Sequence, residues 1–206
     1  MATAIAYEEK VIKPAKKYTF LEYLKKEEIS IEKHEFYNGQ IIKMSGAKYR
    51  HNRVAMNTGY SLISVTKNLS KRFEVSNSDL KIYVESENIC VYPDAVVVSE
   101  APVYWNRRED TITNPLLVVE VLSRSTASHD RTTKFMLYKT LPSFKEYVII
   151  DPNKVSVETW YRQDEKTWIN LSETDLEKEV FLNSMGVAIK LSDVYDRVEF
   201  QENLKK

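Results

Sequence analysis

Hydrophobic residues recur along this chain with two periods. Between Tyr49 and about Lys71, the positions Val54, Thr58, Leu62, Val65 and Leu69 follow at steps of four, four, three and four. That spacing predicts the buried face of a helix, with Arg53, Lys67 and Lys71 on its other faces. Period two appears next: Leu80, Ile82 and Val84 alternate with Lys81, Tyr83 and Glu85, predicting a strand with one polar face. Residues 94–99 and 116–122 are apolar on both faces, as interior strands are. Ser125, Thr126 and Ser128 offer caps for a helix over about 128–141, stopped by Leu141-Pro142. A fourth strand, 146–150, ends at Asp151-Pro152.

Smaller signals fill in the rest. Thr19 can cap a short helix carrying Phe20, Leu21 and Leu24. Asn38-Gly39 predicts a tight hairpin. The run at 111–115 reads as punctuation. Residues 155–161 and 167–171 form an antiparallel pair with Gln163-Asp164 near the turn, and a helix or loop near 191–198 closes the domain. The order helix, strand, strand, strand, helix, strand predicts an α/β sandwich around a mixed sheet.

Composition narrows the classes. The chain has 206 residues, enough for one domain, and 43% are hydrophobic, enough for a core. Residues 1–17 read as a flexible N-terminal segment, 18–200 as the single domain and 201–206 as a tail. Lys plus Arg and Asp plus Glu are both 30, so a generally basic nucleic-acid coat is excluded, though a local basic cleft is not. One cysteine, Cys90, excludes an intrachain disulfide and a multi-cysteine zinc site, and three histidines argue against a histidine-rich one. Four glycines and no Gly-rich phosphate loop set nucleotide binding aside. With no apolar run long enough for a bilayer and no signal-like apolar stretch at the N-terminus, the expectation is a cytoplasmic protein with no membrane partner.

Glu120 is the most unusual residue. It interrupts the apolar run LLVVEVL, where a lone carboxylate must be paired or bind a cation. The bland reading is a strand-end acid bonded to backbone or arginine. Asp94 opens the run AVVV after Pro93. Alone it reads as turn chemistry, but together with Glu120 it places one acid on each of two interior strands. One or two carboxylates are what Mg²⁺ takes from a protein. Lys134 shares a predicted helix face with Leu137, Tyr138 and Leu141, so it points toward the sheet; the alternative is a surface pair with Asp130. His51 lies at the start of the long helix and reads alone as a capping or core histidine. Glu35 reads as a solvated acid. Arg50, Arg53, Lys67, Lys71 and Arg72 form either a solvated face or a set of phosphate contacts.

Three strings together, YPDAVVV (92–98), NPLLVVEVLSRST (114–126) and HDRTTKFMLYKTLPSFKEYVIIDP (129–152), resemble the Uma-type restriction-endonuclease-like family. HEFYNGQIIKMSGAKYRHNRV (34–54), SDLKIYV (78–84), WYR (160–162) and SDVYDRVEF (192–200) fit the same family. The resemblance covers about 18–200. It implies a PD-(D/E)XK nuclease fold: a restriction-endonuclease-like mixed β-sheet core flanked by helices, with additional antiparallel strands. On that basis Asp94 and Glu120 are the two motif acids, which hold Mg²⁺, or Mn²⁺ as a substitute, with the Val121 carbonyl. The superfamily lysine would stand two residues after Glu120, where this chain has Leu122. The resemblance implies Lys134 as its replacement, with Lys81 a second candidate and Glu35 and His51 as accessory residues. The implied activity is hydrolysis of phosphodiester bonds, with DNA the expected nucleic acid; separately, cutting both strands is easiest for a homodimer with two sites, the commonest soluble oligomer. The competing expectation is a catalytically inactive nucleic-acid-binding or protein-interaction module on the same fold.

Overall fold

The computed structural model describes residues 16–124 and 126–200. The N-terminal segment to residue 15, the cap offered by Ser125 and the tail from 201 lie outside the described residues. The chain opens with α1 (Phe20–Glu27), started by a capping box in which Thr19 and Glu22 exchange hydrogen bonds. A hairpin of β1 (His34–Tyr37) and β2 (Gln40–Lys43) follows. Its turn residues Asn38 and Gly39 both have positive φ, 44° and 96°, as a two-residue hairpin turn requires. The long helix α2 (Tyr49–Thr66) buries Val54, Thr58 and Leu62 on one face.

Next come β3 (Phe73–Asn77), β4 (Lys81–Val84), β5 (Ile89–Val91), β6 (Ala95–Ser99), β7 (Thr111–Ile112) and β8 (Leu117–Val121). A helical stretch of three abutting pieces comes after them: α3 (Ala127–His129), a π-helical turn (Asp130–Lys134) and α4 (Phe135–Lys139). Strands β9 (Glu146–Ile150), β10 (Val157–Arg162), β11 (Trp168–Glu173), β12 (Glu179–Leu182) and β13 (Val187–Lys190) lead to α5 (Leu191–Val194).

The strands form two mixed sheets and a hairpin. The six-stranded sheet runs β11-β10-β9-β8-β6-β3, parallel between β8 and β9. The five-stranded sheet runs β2-β1-β5-β4-β7, parallel between β4 and β7. One face of β6 and β8 (Val97, Leu117, Val119, Val121) packs with Val54 and Leu62 of α2. The opposite face (Val96, Val98, Val118) packs with Phe135, Leu137 and Tyr138 of the helical stretch and with Ile82 and Val84 of β4. The α/β expectation stands, with two corrections. The strand at 81–84 belongs to the second sheet rather than to the central one. It is buried on both faces, because Lys81 is neutralised by Asp110 at 2.8 Å and Tyr83 stacks on Phe20. The punctuation expected at 111–115 contains the short strand β7. Among the described residues no helix is long and apolar enough to cross a membrane.

Candidate active site

Strand register brings the two acids together. Ala95 pairs with Val119 and Val96 with Val118 in an antiparallel ladder, and the Asp94 amide donates to the Val119 carbonyl. Asp94 and Glu120 thus lie just past the last paired residues of neighbouring strands, near enough for the Asp94 charge to bear on Glu120. Asp94 Oδ2 accepts the Val121 amide at 2.7 Å, and Oδ1 lies 2.9 Å from His51 Nε2. His51 is thus brought in from the first turn of α2. Its Nδ1 is buried without a hydrogen-bond partner among the described residues.

Lys134 comes from the opposite wall. Its ammonium donates to Glu120 Oε1 at 3.1 Å, lies 3.1 Å from Glu35 Oε1 and 3.7 Å from Asp130 Oδ1, and reaches the Tyr92 carbonyl at 3.4 Å. Its side chain is only 7% exposed, so the surface pair with Asp130 is replaced by a buried one. Tyr138 donates its hydroxyl to the same Glu120 oxygen at 3.1 Å. All described hydrogen bonds to Glu120 therefore go to Oε1. Leu122, two residues on, is buried with Val118 and Phe135, so hydrocarbon occupies that position.

A π-turn delivers this lysine. Both Asp130 and Lys134 are buried, while Arg131, Thr132 and Thr133 between them are exposed. The Tyr147 hydroxyl donates to the Asp130 carbonyl at 2.9 Å, taking an acceptor that the helix ladder would otherwise use. Single π-turns inside helices occur often at functional sites.

Two expectations need correcting. Glu35 is not a solvated acid: its side chain is 11% exposed and faces Lys134. Lys81 is not brought to the acids, since it pairs with Asp110 and lies over the Tyr92 ring at 5.3 Å. Sequence reasoning missed Tyr37, Tyr138 and His129. Tyr37 donates to Glu35 Oε2 at 2.9 Å and lies 2.8 Å from His129 Nε2. A phenol has one proton, so with that proton on Glu35 the histidine must donate from Nε2. The available signal was parity: Glu35 and Tyr37 are two apart on β1 and share a face, while Phe36 packs with α1. Tyr37→Phe should cost about 1–3 kcal/mol of stability by removing a hydrogen bond to a buried carboxylate. Urea unfolding at neutral pH checks this, and an unchanged midpoint would remove Tyr37 from the network.

The charges do not balance locally. One ammonium faces Glu35, Glu120 and Asp130, with Asp94 nearby. Burial pushes Glu120 well above the usual carboxylate range; Lys134 opposes that, and Asp94, Asp130 and Glu35 add to it. Burial also raises Asp130. Burial disfavours the Lys134 charge, but Glu120, Glu35 and Asp130 outweigh it and hold its pKa well above the ordinary value. Burial and mutual repulsion thus disfavour full ionisation of the carboxylates, Glu120 above all, while the acids favour the charged form of the lysine. Burial disfavours the charged form of His51 as well, but the bond to Asp94 prevails and raises its pKa.

These residues suit a hard cation. Among the described residues no group of three or more His, Cys, Asp and Glu side chains forms a cage for a metal ion. What the site offers is Asp94 and Glu120 on neighbouring strands, and Mg²⁺ takes one or two carboxylates and completes its shell with water and substrate phosphates.

Comparison with known proteins bears on family and fold. A family model described as "Uma2: Putative restriction endonuclease" matches residues 20–192. An uncharacterized protein of Synechocystis sp. is 34% identical over 159 residues, covering 77% of this chain and 89% of that protein. A second from the same organism is 33% identical over 190 residues, covering 87% and 92%. A crystal structure from Anabaena variabilis, described as "a putative nuclease belonging to DUF820", superposes with a TM-score of 0.68. It shares 17% identity and covers 88% of this chain and 99% of that one, which establishes a common fold.

Proposed function

The chain belongs to the Uma2 family, and from that premise we propose that it is a metal-dependent endonuclease hydrolysing phosphodiester bonds in DNA. The observation that carries the proposal is the Lys134 ammonium 3.1 Å from Glu120, with Asp94 at the start of the neighbouring strand bonded to the Val121 amide. A purely structural ion pair needs one acid. This site concentrates three around one cation, at a cost in stability that a cation-binding role explains.

Asp94 and Glu120, with the Val121 carbonyl, would hold Mg²⁺ or Mn²⁺. The ion would supply polarisation of the phosphate and a bound water of lowered pKa. Lys134 presents positive charge beside Glu120, where charge builds on the phosphate oxygens. Glu35, anchored by Tyr37, and Asp130 aim the ammonium. The Val121 amide and His51 fix the Asp94 rotamer, so the acid keeps its orientation between turnovers. A cation held there would compete with protons for these carboxylates.

Plasmid nicking in Mg²⁺ or Mn²⁺, with an EDTA control, tests the activity directly. Duplex binding without cleavage in any divalent ion would leave a binding module and overturn the proposal. Metal affinity has its own signature. Mn²⁺ binding should release a proton, seen as a calorimetric enthalpy that differs between buffers of unlike ionisation heat. Affinity should fall about tenfold or more from pH 8 to pH 5.5, because the ion competes with a carboxylate proton. Equal affinity at the two pH values would remove the shared site.

A further inference from the structure

A helix lying on a sheet needs one apolar face, and α2 has two. Val54, Thr58 and Leu62 face the core. On the opposite side Tyr49, Met56 and Tyr60 are 73%, 72% and 72% exposed, and Ile63 is 51% exposed. With Arg53 and Lys67 these residues recur at steps of four, three, four, three and four. At about 100° per residue all six fall within roughly 40° of one line along the helix. This is the seam spacing by which helices pair with one another.

We propose that this seam is a homodimer interface, with α2 packed antiparallel on α2 of a second copy about a two-fold axis. Charge selects the direction. Parallel pairing would set Arg53 against Arg53 and Lys67 against Lys67. Antiparallel pairing about the middle of the seam sets Lys67 over Tyr49 and Met56 against Tyr60, a cation–π and a sulfur–aromatic contact, each made twice. It also brings Arg53 of one copy beside a groove of about 140 Å³ on the other, where Tyr60 and Ser64 meet Glu179 and Asp193. Gly59 flanks the seam, and a Cβ there would meet nothing within 4 Å in its own chain. Glycine costs an exposed helix about 1 kcal/mol relative to alanine, and close approach of a second helix accounts for it.

The area suffices for a reversible dimer. A buried tyrosine covers about 150–250 Å². At the observed exposures the four apolar seam residues remove on the order of 1,000 Å² from two copies together, the lower bound for a specific interface. An interface of this size suits micromolar association. The two-fold would set the two His51 positions about 21 Å apart along the helix axes, giving each dimer two sites.

Sedimentation velocity of the full chain from 1 to 100 µM, without metal or DNA, tests the interface independently of any nuclease activity. The wild type should shift toward twice the chain mass as concentration rises. Tyr60→Glu should weaken association at least tenfold, with circular dichroism and melting temperature retained because the side chain is exposed. Arg53→Glu should do the same, and adding Asp193→Arg should restore the dimer. A monomer at 100 µM, or unimpaired dimerisation by Tyr60→Glu, overturns the proposal. So does a chain that stays monomeric while Tyr60→Glu weakens duplex binding, which would make this face a nucleic-acid surface.

Discussion

Lys134→Met should lower cleavage by at least about 10²-fold and also destabilise the fold by about 3–5 kcal/mol near pH 8. The first figure is the usual scale for losing a charge-stabilising group, the second for stranding buried carboxylates without their cation. Both effects arise from the same geometry. The ammonium serves Glu120, Glu35 and Asp130 at 3.1, 3.1 and 3.7 Å, and the side chains of these acids are at most 11% exposed. The sign of the pH dependence follows from direction. Without the lysine the acids protonate more readily in the folded chain than in the unfolded one. Their folded pKa values are then raised, so stability is retained below the ordinary carboxylate value of about 4.3 and lost as pH rises through the raised values. The deficit relative to wild type should therefore be small near pH 5 and large at pH 8. Urea unfolding at the two pH values measures it. A deficit independent of pH, or full cleavage by the variant, would remove Lys134 from the centre of the site. Lys81→Met is the control: its partner is Asp110, and cleavage should not change.

The sequence shows why some of this was legible and some was not. Interior strands declare themselves by apolar residues on both faces, and an acid inside such a run, Glu120, is conspicuous because it has no local partner. Periodicity likewise placed Lys134 on the inward face with Leu137 and Tyr138. Burial of Glu35 could not be read in the same way. It lies on a short hairpin strand between His34 and Phe36, and its cation, Lys134, arrives from across the fold while the Tyr37 hydroxyl comes from the same strand. The π-turn was equally hidden, since the Tyr147 hydroxyl that bonds the Asp130 carbonyl comes from another element and the surrounding residues still fit an α-helical period. Strand β3 and the hairpin of β12 and β13 carry mixed, half-exposed patterns. The loop joining that hairpin is tied down by Glu146, whose carboxylate accepts the amides of Asn183 and Ser184. Local pattern thus fixes elements and parity, whereas pairing partners and buried charges depend on contacts distant in sequence.

Glu120→Gln should show the opposite combination: cleavage reduced by about 10³-fold or more, with stability nearly unchanged. Several kcal/mol of transition-state stabilisation depend on a cation held by this acid, and each 1.4 kcal/mol is a factor of ten. The fold depends on it much less. Burial already favours the uncharged form of Glu120, and the amide copies that form in shape and leaves an oxygen to accept from Lys134 and Tyr138. Lys134 keeps its charge through Glu35 and Asp130. Two further readings separate a cation site from a structural ion pair. Proton release on Mn²⁺ addition should disappear in Glu120→Gln. The double variant with Lys134→Met should be more stable at pH 8 than Lys134→Met alone, because one stranded acid has been removed. If Glu120→Gln instead unfolded as readily as Lys134→Met while retaining cleavage, the pair would be a structural bridge, and the chemistry would have to lie elsewhere on the fold.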